Sequence, residues 1–323
     1  MDRPTELDAA TFEGLIRAAV AAPSIHNTQP WRFGFDQSTG TVHVRADAER
    51  GLRQTDPRGR ALHVSVGAAL KNLTVAACHA GWTPKVTLFP DRTEPELLAT
   101  VHLLGEESGP PGSEDELYEA IWHRHTSRRP FEARALPHAL VTRLTEAARA
   151  DGAVLMWPGP DGVRRLMRLT AEAERRNVND PRRRAESRAW VRAQGTLGMP
   201  RAALGPQDAQ GHVPVRDFGA LLPPGHMPPE EFEQLPHLAV LATGDDQPQD
   251  WLRAGQALEH VLLLATRERV RASFFYQALE WHDLRWALRD ADAGPAYVQM
   301  IMRLGYGPEG AATPRRPPAD VTT

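Results

Sequence analysis

The chain has a single cysteine, Cys78, in 323 residues. An intrachain disulfide is therefore impossible, and a cysteine-ligated zinc site is excluded. Cys78 lies in an apolar, Ala-rich stretch, the setting of a small core residue rather than a reactive thiol. Lysine is almost missing: of 38 basic residues, only Lys71 and Lys85 are lysines, so a bound anion will be met by guanidinium forks. The formal charge of -3 is too small to favour nucleic acid in general. Nothing approaches the roughly 18 apolar residues of a membrane span. The acidic, polar start (Asp2, Arg3, Glu6, Asp8) lacks a signal-peptide core. The expectation is a cytoplasmic chain with neither membrane nor nucleic acid as partner. Hydrophobic residues make up 41% and charged residues 24%, ordinary for a globular protein long enough for two domains or one large compact one.

Periodicity outlines the elements. Phe12, Leu15, Ile16, Ala19 and Val20 recur at helical spacing until Pro23 stops them. Trp31–Phe35 and Val42–Ala46 read as paired strands around a turn at 36–40. A long helix spans 61–80, with Leu62, Val66, Ala69, Leu70, Leu73 and Ala77 as its apolar stripe and Gly81 as its terminator. Strands follow near 85–89 and 98–104. The Gly/Pro-rich seam Glu106–Gly112 is the candidate boundary between two halves, 1–110 and 111–323. Beyond it, helices are expected at 114–124, 137–149, 162–176, 182–194, 251–266 and 278–290. Strands are expected at 154–157, 238–243, 271–276 and 296–304. The stretch 195–236 is rich in Gly and Pro, has no period, and reads as a lid-like insert. The runs Gly67-Ala68-Ala69-Leu70 and Gly255-Gln256-Ala257-Leu258 echo one another, although two amphipathic helices can share four letters by chance.

Three segments carry chemistry. Pro23-Ser24-Ile25-His26-Asn27-Thr28-Gln29-Pro30-Trp31 packs a hydroxyl, an imidazole and two carboxamides between a helix end and a strand start. Asn27 and Gln29 both donate and accept, so they can read the edge of a heterocycle; a turn satisfying its own backbone is the plain alternative. Arg124-His125-Thr126-Ser127-Arg128-Arg129-Pro130-Phe131 has the donors a phosphate dianion takes. Arg303-Leu304-Gly305-Tyr306-Gly307, then Thr313-Pro314-Arg315-Arg316-Pro317, adds two adjacent arginines. Either arginine cluster alone reads as a solvated basic turn; two of them in a slightly acidic chain point to an anion site. His123 and His125 diverge on a helix, and no metal is expected there. Ser24 and His26 lack the Gly-x-Ser-x-Gly elbow of a hydrolase. Arg182-Arg183-Arg184 reads as a solvated helix start, and Trp251, Trp281 and Trp286 as core or interface residues.

The Pro-Ser-x-x-Asn-x-Gln-Pro-Trp run resembles the flavin-contacting loop of the FMN-dependent nitroreductase superfamily. Arg124-His125-Thr126-Ser127-Arg128 with Phe131 resembles that family's phosphate motif, and the Pro-Arg-Arg-Pro ending its C-terminal basic segment. The order differs from ordinary members: the loop precedes the arginine motif, and each half keeps one complementary part of a single site. That is similar to the fused-dimer (Acg-like) group. The resemblance implies an α+β, nitroreductase-like fold of two tandem half-domains mimicking the usual homodimer, with antiparallel-rich sheets flanked by helices. It implies one FMN per chain. Arg124, His125, Thr126 and Arg128, completed by Arg315 and Arg316, would hold its phosphate and ribityl chain. Pro23, Ser24 and Asn27 would meet its ring, with Gln29 also among the cofactor-binding residues and Tyr276 and Gln277 near the reactive nitrogen. No residue matches the family's group at the pyrimidine edge. The partners implied are NADH or NADPH and a small aromatic acceptor, on a monomer or weak homodimer. The flavin would carry the chemistry, with no catalytic side chain. A protein that stores FMN under a lid is the alternative.

Overall fold

The computed structural model describes residues 7–105, 115–192, 195–218, 228–289 and 296–323. Helix α1 (Ala9–Val20) opens on Asp8, whose carboxylate accepts the Thr11 backbone N–H at 2.7 Å and so satisfies one of the orphan donors of the first turn. Strands β1 (Trp31–Asp36) and β2 (Thr41–Ala46) form a hairpin whose turn ends on Gly40, at φ 62°. Strict alternation along β2 buries Val42, Val44 and Ala46 and turns the intervening residues outward. Helix α2 (Arg60–His79) leads to β3 (Thr83–Leu88) and β4 (Leu97–Leu104), and the four strands pair antiparallel in the order β1-β2-β4-β3.

The second part of the chain repeats this scheme with additions. Helices α3 (Tyr118–His123) and α4 (His138–Ala150) precede β5 (Val154–Met156). Helices α5 (Pro160–Asn179) and α6 (Pro181–Ala189) come next, each opening on a proline whose missing N–H costs nothing there. Strand β6 (Leu238–Thr243), helix α7 (Pro248–Arg267), β7 (Arg271–Phe274), α8 (His282–Ala287) and β8 (Tyr297–Gly305) complete it. This sheet runs β5-β6-β8-β7, the same order as the first, and both carry a register shift in their second strand, at Val44/Arg45 and Leu241/Ala242.

The two parts meet where α2 crosses α7, at the glycines of the echoed motif. A Cβ on Gly67 would lie 2.1 Å from the Leu252 carbonyl oxygen, and one on Gly255 would lie 2.1 Å from the Val64 oxygen. Each glycine thus faces the carbonyl three residues before the other, a reciprocal contact of the kind made at a two-fold axis. By length and composition α2 could cross a membrane, but 89% of its apolar window is buried inside the protein, which makes it a core helix. The C-terminus returns to the first sheet: the Phe33 N–H donates to Val321 O at 2.7 Å, and the Thr323 N–H donates to Phe33 O at 2.8 Å. The parts are therefore interlocked.

Several expected features differ. The seam at 106–112 lies outside the described residues. Helix 182–194 stops at Ala189. Helix 278–290 is two pieces, a 3-10 turn at Gln277–Glu280 and then α8, because Trp281 is extended (φ −111°, ψ 121°) with its indole N–H donating to Asn177 Oδ1 at 2.9 Å. Trp286 is 61% exposed, not core. Arg183 is buried beside Glu280 and over Trp281 instead of solvated. Cys78 is only partly buried.

Candidate functional site

Two adjoining chambers lie between the loop after α1 and the face of the second sheet. The larger is walled by Val64, Leu258, Phe274, Phe275, Tyr276 and Met300, with polar groups from Ser24, His26, Gln277, Arg216 and Arg303. The smaller is lined by Asn27, Arg124, His125, Thr126, Met199, Thr313 and Arg315. Pro23, Ser24, Arg128 and Phe274 belong to both, so one extended ligand can occupy the pair.

The loop is held by its own polar side chains. Ser24 Oγ accepts the Gln29 N–H at 2.9 Å, and the Ile25 N–H donates to Ser65 Oγ of α2 at 3.2 Å. His26, Asn27 and Gln29 all have positive φ (48°, 55° and 52°), a conformation that non-glycine residues hold only when their surroundings enforce it. Asn27 and Gln29 show the enforcement. The Asn27 amide donates to Gly198 O (2.8 Å) and Pro314 O (2.9 Å) and accepts from Arg315 Nη1 (3.0 Å). The Gln29 amide donates to Thr196 O (2.7 Å) and accepts the Arg316 N–H (2.7 Å).

The arginine segment is positioned by the second sheet. Thr126 bridges to Ala272, the Ser127 N–H donates to Ala272 O at 2.9 Å, and Ser127 Oγ donates to Pro308 O at 2.8 Å. A side chain at Gly310 would collide with Thr126 O, 2.0 Å from its Cβ, so the C-terminal segment passes close against the motif. Arg124 and Arg315 both donate to Ala21 O, the carbonyl at the end of α1, at 3.3 and 3.1 Å. Behind them Glu259 of α7, fully buried, stands 3.4 Å from Arg124 Nε.

Burial dominates the electrostatics. It pushes the Arg128 guanidinium down to about 10 and Arg315 to about 9, helped by the neighbouring charges of Arg216 and Arg124 respectively. Burial pushes Glu259 up to about 7, against the pull of Arg124 and Arg315. His125 is lowered by burial and then by Arg124 and Arg315. Among the described residues no carboxylate pairs with Arg128; its Nη1 donates to Ala203 O at 2.6 Å, and its guanidinium lies 5.4 Å from the Phe218 ring centre. Three guanidiniums in the smaller chamber (Arg124, Arg128 and Arg315) therefore face one carboxylate, Glu259. The surplus matches a monophosphate dianion.

No family model matches the chain. Among named proteins it is 33% identical, over 96% of its own length and 90% of the other's, to the Mycobacterium tuberculosis (strain ATCC 25618 / H37Rv) protein named "Putative NAD(P)H nitroreductase Rv3131". The chain belongs to this nitroreductase family. The same organism's "Putative NAD(P)H nitroreductase acg" is 29% identical over 97% of this chain and 95% of that one. A nitroreductase with bound FMN from Bacteroides fragilis NCTC 9343 is matched at 15% identity and a TM-score of 0.37, over 62% of this chain and 94% of that one.

Set against the family pattern, ten of the twelve anticipated residues line the chambers: Pro23, Ser24, Asn27, Arg124, His125, Thr126, Arg128, Tyr276, Gln277 and Arg315. Asn27 lies on the arginine side, away from the larger chamber where a ring contact was anticipated. Gln29 and Arg316 line neither chamber. Gln29 is 0% exposed and joins loop to tail, so both ends of its amide are spent. The Arg316 guanidinium turns away, to Asp320 O and Asp47. Sequence reasoning left out Arg216, Phe218, Val213 and Val215, all from the aperiodic insert, and Arg303 of β8. Arg303 opened a quoted segment but was given no role there; nothing in the pattern of 195–236 pointed to Arg216.

Proposed function

We propose that the chain holds one FMN across the two chambers and acts as an NAD(P)H-dependent oxidoreductase on flat, electron-poor acceptors such as nitroaromatics and quinones. The observation that carries this reading is the pairing of a buried, cation-rich chamber with an apolar, aromatic-walled one through Pro23, Ser24, Arg128 and Phe274. Arg124, Arg128, Arg315, Thr126 and Thr313 would take the phosphate and ribityl chain. Tyr276, Phe274, Val64 and Leu258 would enclose the ring, excluding water from its face. Arg216 and Arg303, paired with Glu280 and Glu233, would offer guanidinium N–H donors to the ring edge that gains electrons. FMN held there would supply hydride transfer between NADH or NADPH and the acceptor.

A single site is favoured by what stands at the equivalent place in the other half. Ala21 ends α1 and Asp151 ends α4; Lys71 and Glu259 each follow their crossing glycine by four residues. There Asp151 accepts from Lys71 Nζ (3.2 Å) and pairs with His260 Nδ1 (2.7 Å), so the signs are reversed and no surplus of guanidinium faces a chamber. We take the halves to divide at the 106–112 seam, and the fused chain to act in the cytoplasm as a monomer or weak homodimer.

A second reading, storage of FMN without turnover, is favoured by the insert, which is tied over the site through Gly198 O, Thr196 O and Ala203 O. Stopped-flow absorbance separates the two. The protein is expected to purify yellow with about one flavin per chain, bleached within seconds by NADH or NADPH. Bleaching by dithionite alone refutes turnover, and a colourless protein that takes up no FMN refutes both.

A further inference from the structure

His26 is 5% exposed, lies in the wall of the larger chamber, and neither ring nitrogen has a hydrogen-bond partner among the described residues. Buried polar groups left unpaired are expensive, so such a group in a chamber wall is understandable when a ligand completes it. The loop around it is clamped on one side: Asn27 is tied to Gly198, Pro314 and Arg315, and Gln29 to Thr196 and Arg316. Those bonds account for the left-handed backbone at Asn27 and Gln29. His26 shares that conformation, yet its ring is held only by an edge contact with Phe218, at 5.3 Å between ring centres and 78° between planes. The turn that carries it is closed by the Asn27 N–H to Ser24 O (3.0 Å) and the Thr28 N–H to Ile25 O (2.9 Å), and it sets the imidazole in the chamber wall with no side-chain bond of its own. Burial, then Arg216 and Arg128, hold its pKa well below the ordinary histidine value, so it is a neutral ring with one donor and one acceptor. Gln277 stands in the same wall with its Nε2 donating to Pro214 O at 3.1 Å, which leaves Oε1 unpaired.

We propose that His26 reads the hydride acceptor, its neutral imidazole donating a hydrogen bond to a carbonyl or nitro oxygen carried on the acceptor's flat ring. This rests on the flavin reading above. The walls of the larger chamber are mostly apolar, so an acceptor stacked beside the flavin ring is selected for flatness and not for functional group. His26 adds the selection for oxygen. It makes no proton transfer in this proposal; it fixes which edge of the acceptor turns into the chamber, and is a substrate-orienting residue.

The test uses the flavin-loaded, oxidised protein, in which quinones bind without reacting. 1,4-Naphthoquinone and naphthalene, alike in shape but differing in oxygen, are titrated against the flavin absorption band. The wild type is expected to prefer the quinone. In His26→Phe, which keeps a flat ring and removes the donor, that preference should fall about 5-fold to 10-fold, as the loss of one hydrogen bond predicts. Naphthalene binding and flavin content should be retained, and His26→Gln, which keeps a donor, should restore much of the preference. An undiminished preference in His26→Phe overturns the proposal. So does loss of flavin confined to His26→Phe, because the residue then holds the cofactor and not the acceptor. A wild-type chain that takes up no flavin sinks the earlier reading, and this one with it.

Discussion

Arg128 gives the sharpest test of the site, because removing it should cost affinity while leaving stability nearly unchanged. Its guanidinium is buried, and no carboxylate pairs with it among the described residues. Without a ligand it keeps one bond of consequence, to Ala203 O at 2.6 Å, beside a weak contact from Nη2 to Met199 Sδ at 3.6 Å. Desolvating a charge costs several kcal/mol even after relaxation, and replacing a buried ion by an apolar group of similar length is often neutral or stabilising. Methionine is such a group and would pack against Phe218 and Met199. The cost of Arg128→Met to the flavin-free protein is the Ala203 bond, about 1.5–3 kcal/mol for a charged donor, offset by relief of the desolvation. The expected net change is within about 1 kcal/mol of zero. The flavin phosphate, in contrast, loses a charge-assisted bond, which weakens binding by about 10-fold to 150-fold. Thermal melts of the flavin-free protein and fluorescence titration with FMN read the two quantities. A large drop in the flavin-free melting temperature with unchanged FMN affinity would refute the reasoning, since Arg128 would then be a structural cation.

Glu259 should make stability depend on pH. Its folded pKa is raised to about 7 by burial, so the folded chain holds a proton that the unfolded chain has already lost, and stability falls as pH rises from the ordinary carboxylate range through 7. Glu259→Gln should flatten that part of the melting-temperature profile between pH 5 and pH 8, and an unchanged difference between wild type and variant across the range would contradict it. At the helix crossing, Gly67→Ala places a Cβ against the Leu252 carbonyl and should cost about 1–3 kcal/mol or more in denaturant unfolding. Gly14→Ala, with nothing within 4 Å on α1, should instead gain about 0.5–1 kcal/mol. Asn27→Leu strands the Gly198 and Pro314 carbonyls and frees Arg315 from its amide partner. It should cost about 1–3 kcal/mol and speed the release of bound flavin, measured by trapping free FMN; an unchanged release rate would show that the insert is not held through Asn27.

Much of this molecule is legible along the chain, and each legible feature is a local one. Helix and strand periods placed most of the elements, because burying one face of a helix or strand writes a period of 3.6 or 2 into the residues. The echo of Gly67 with Gly255 was visible because close approach of two backbones leaves no room for a Cβ on either helix. The arginine run at 124–128 and the loop at 23–31 were visible because binding chemistry was concentrated in a few consecutive residues. What only the tertiary structure decided was direction. Arg315 faces the smaller chamber while Arg316, one residue on, turns to Asp320 and Asp47; Gln29 lies inside the junction between loop and tail. Arg216 enters the larger chamber from a stretch with no period, drawn there by Glu280. In irregular backbone no repeat relates one side chain's direction to the next, so which residues face the site is set by contacts between segments as far apart as Asn27 and Arg315, and only the folded chain brings those together.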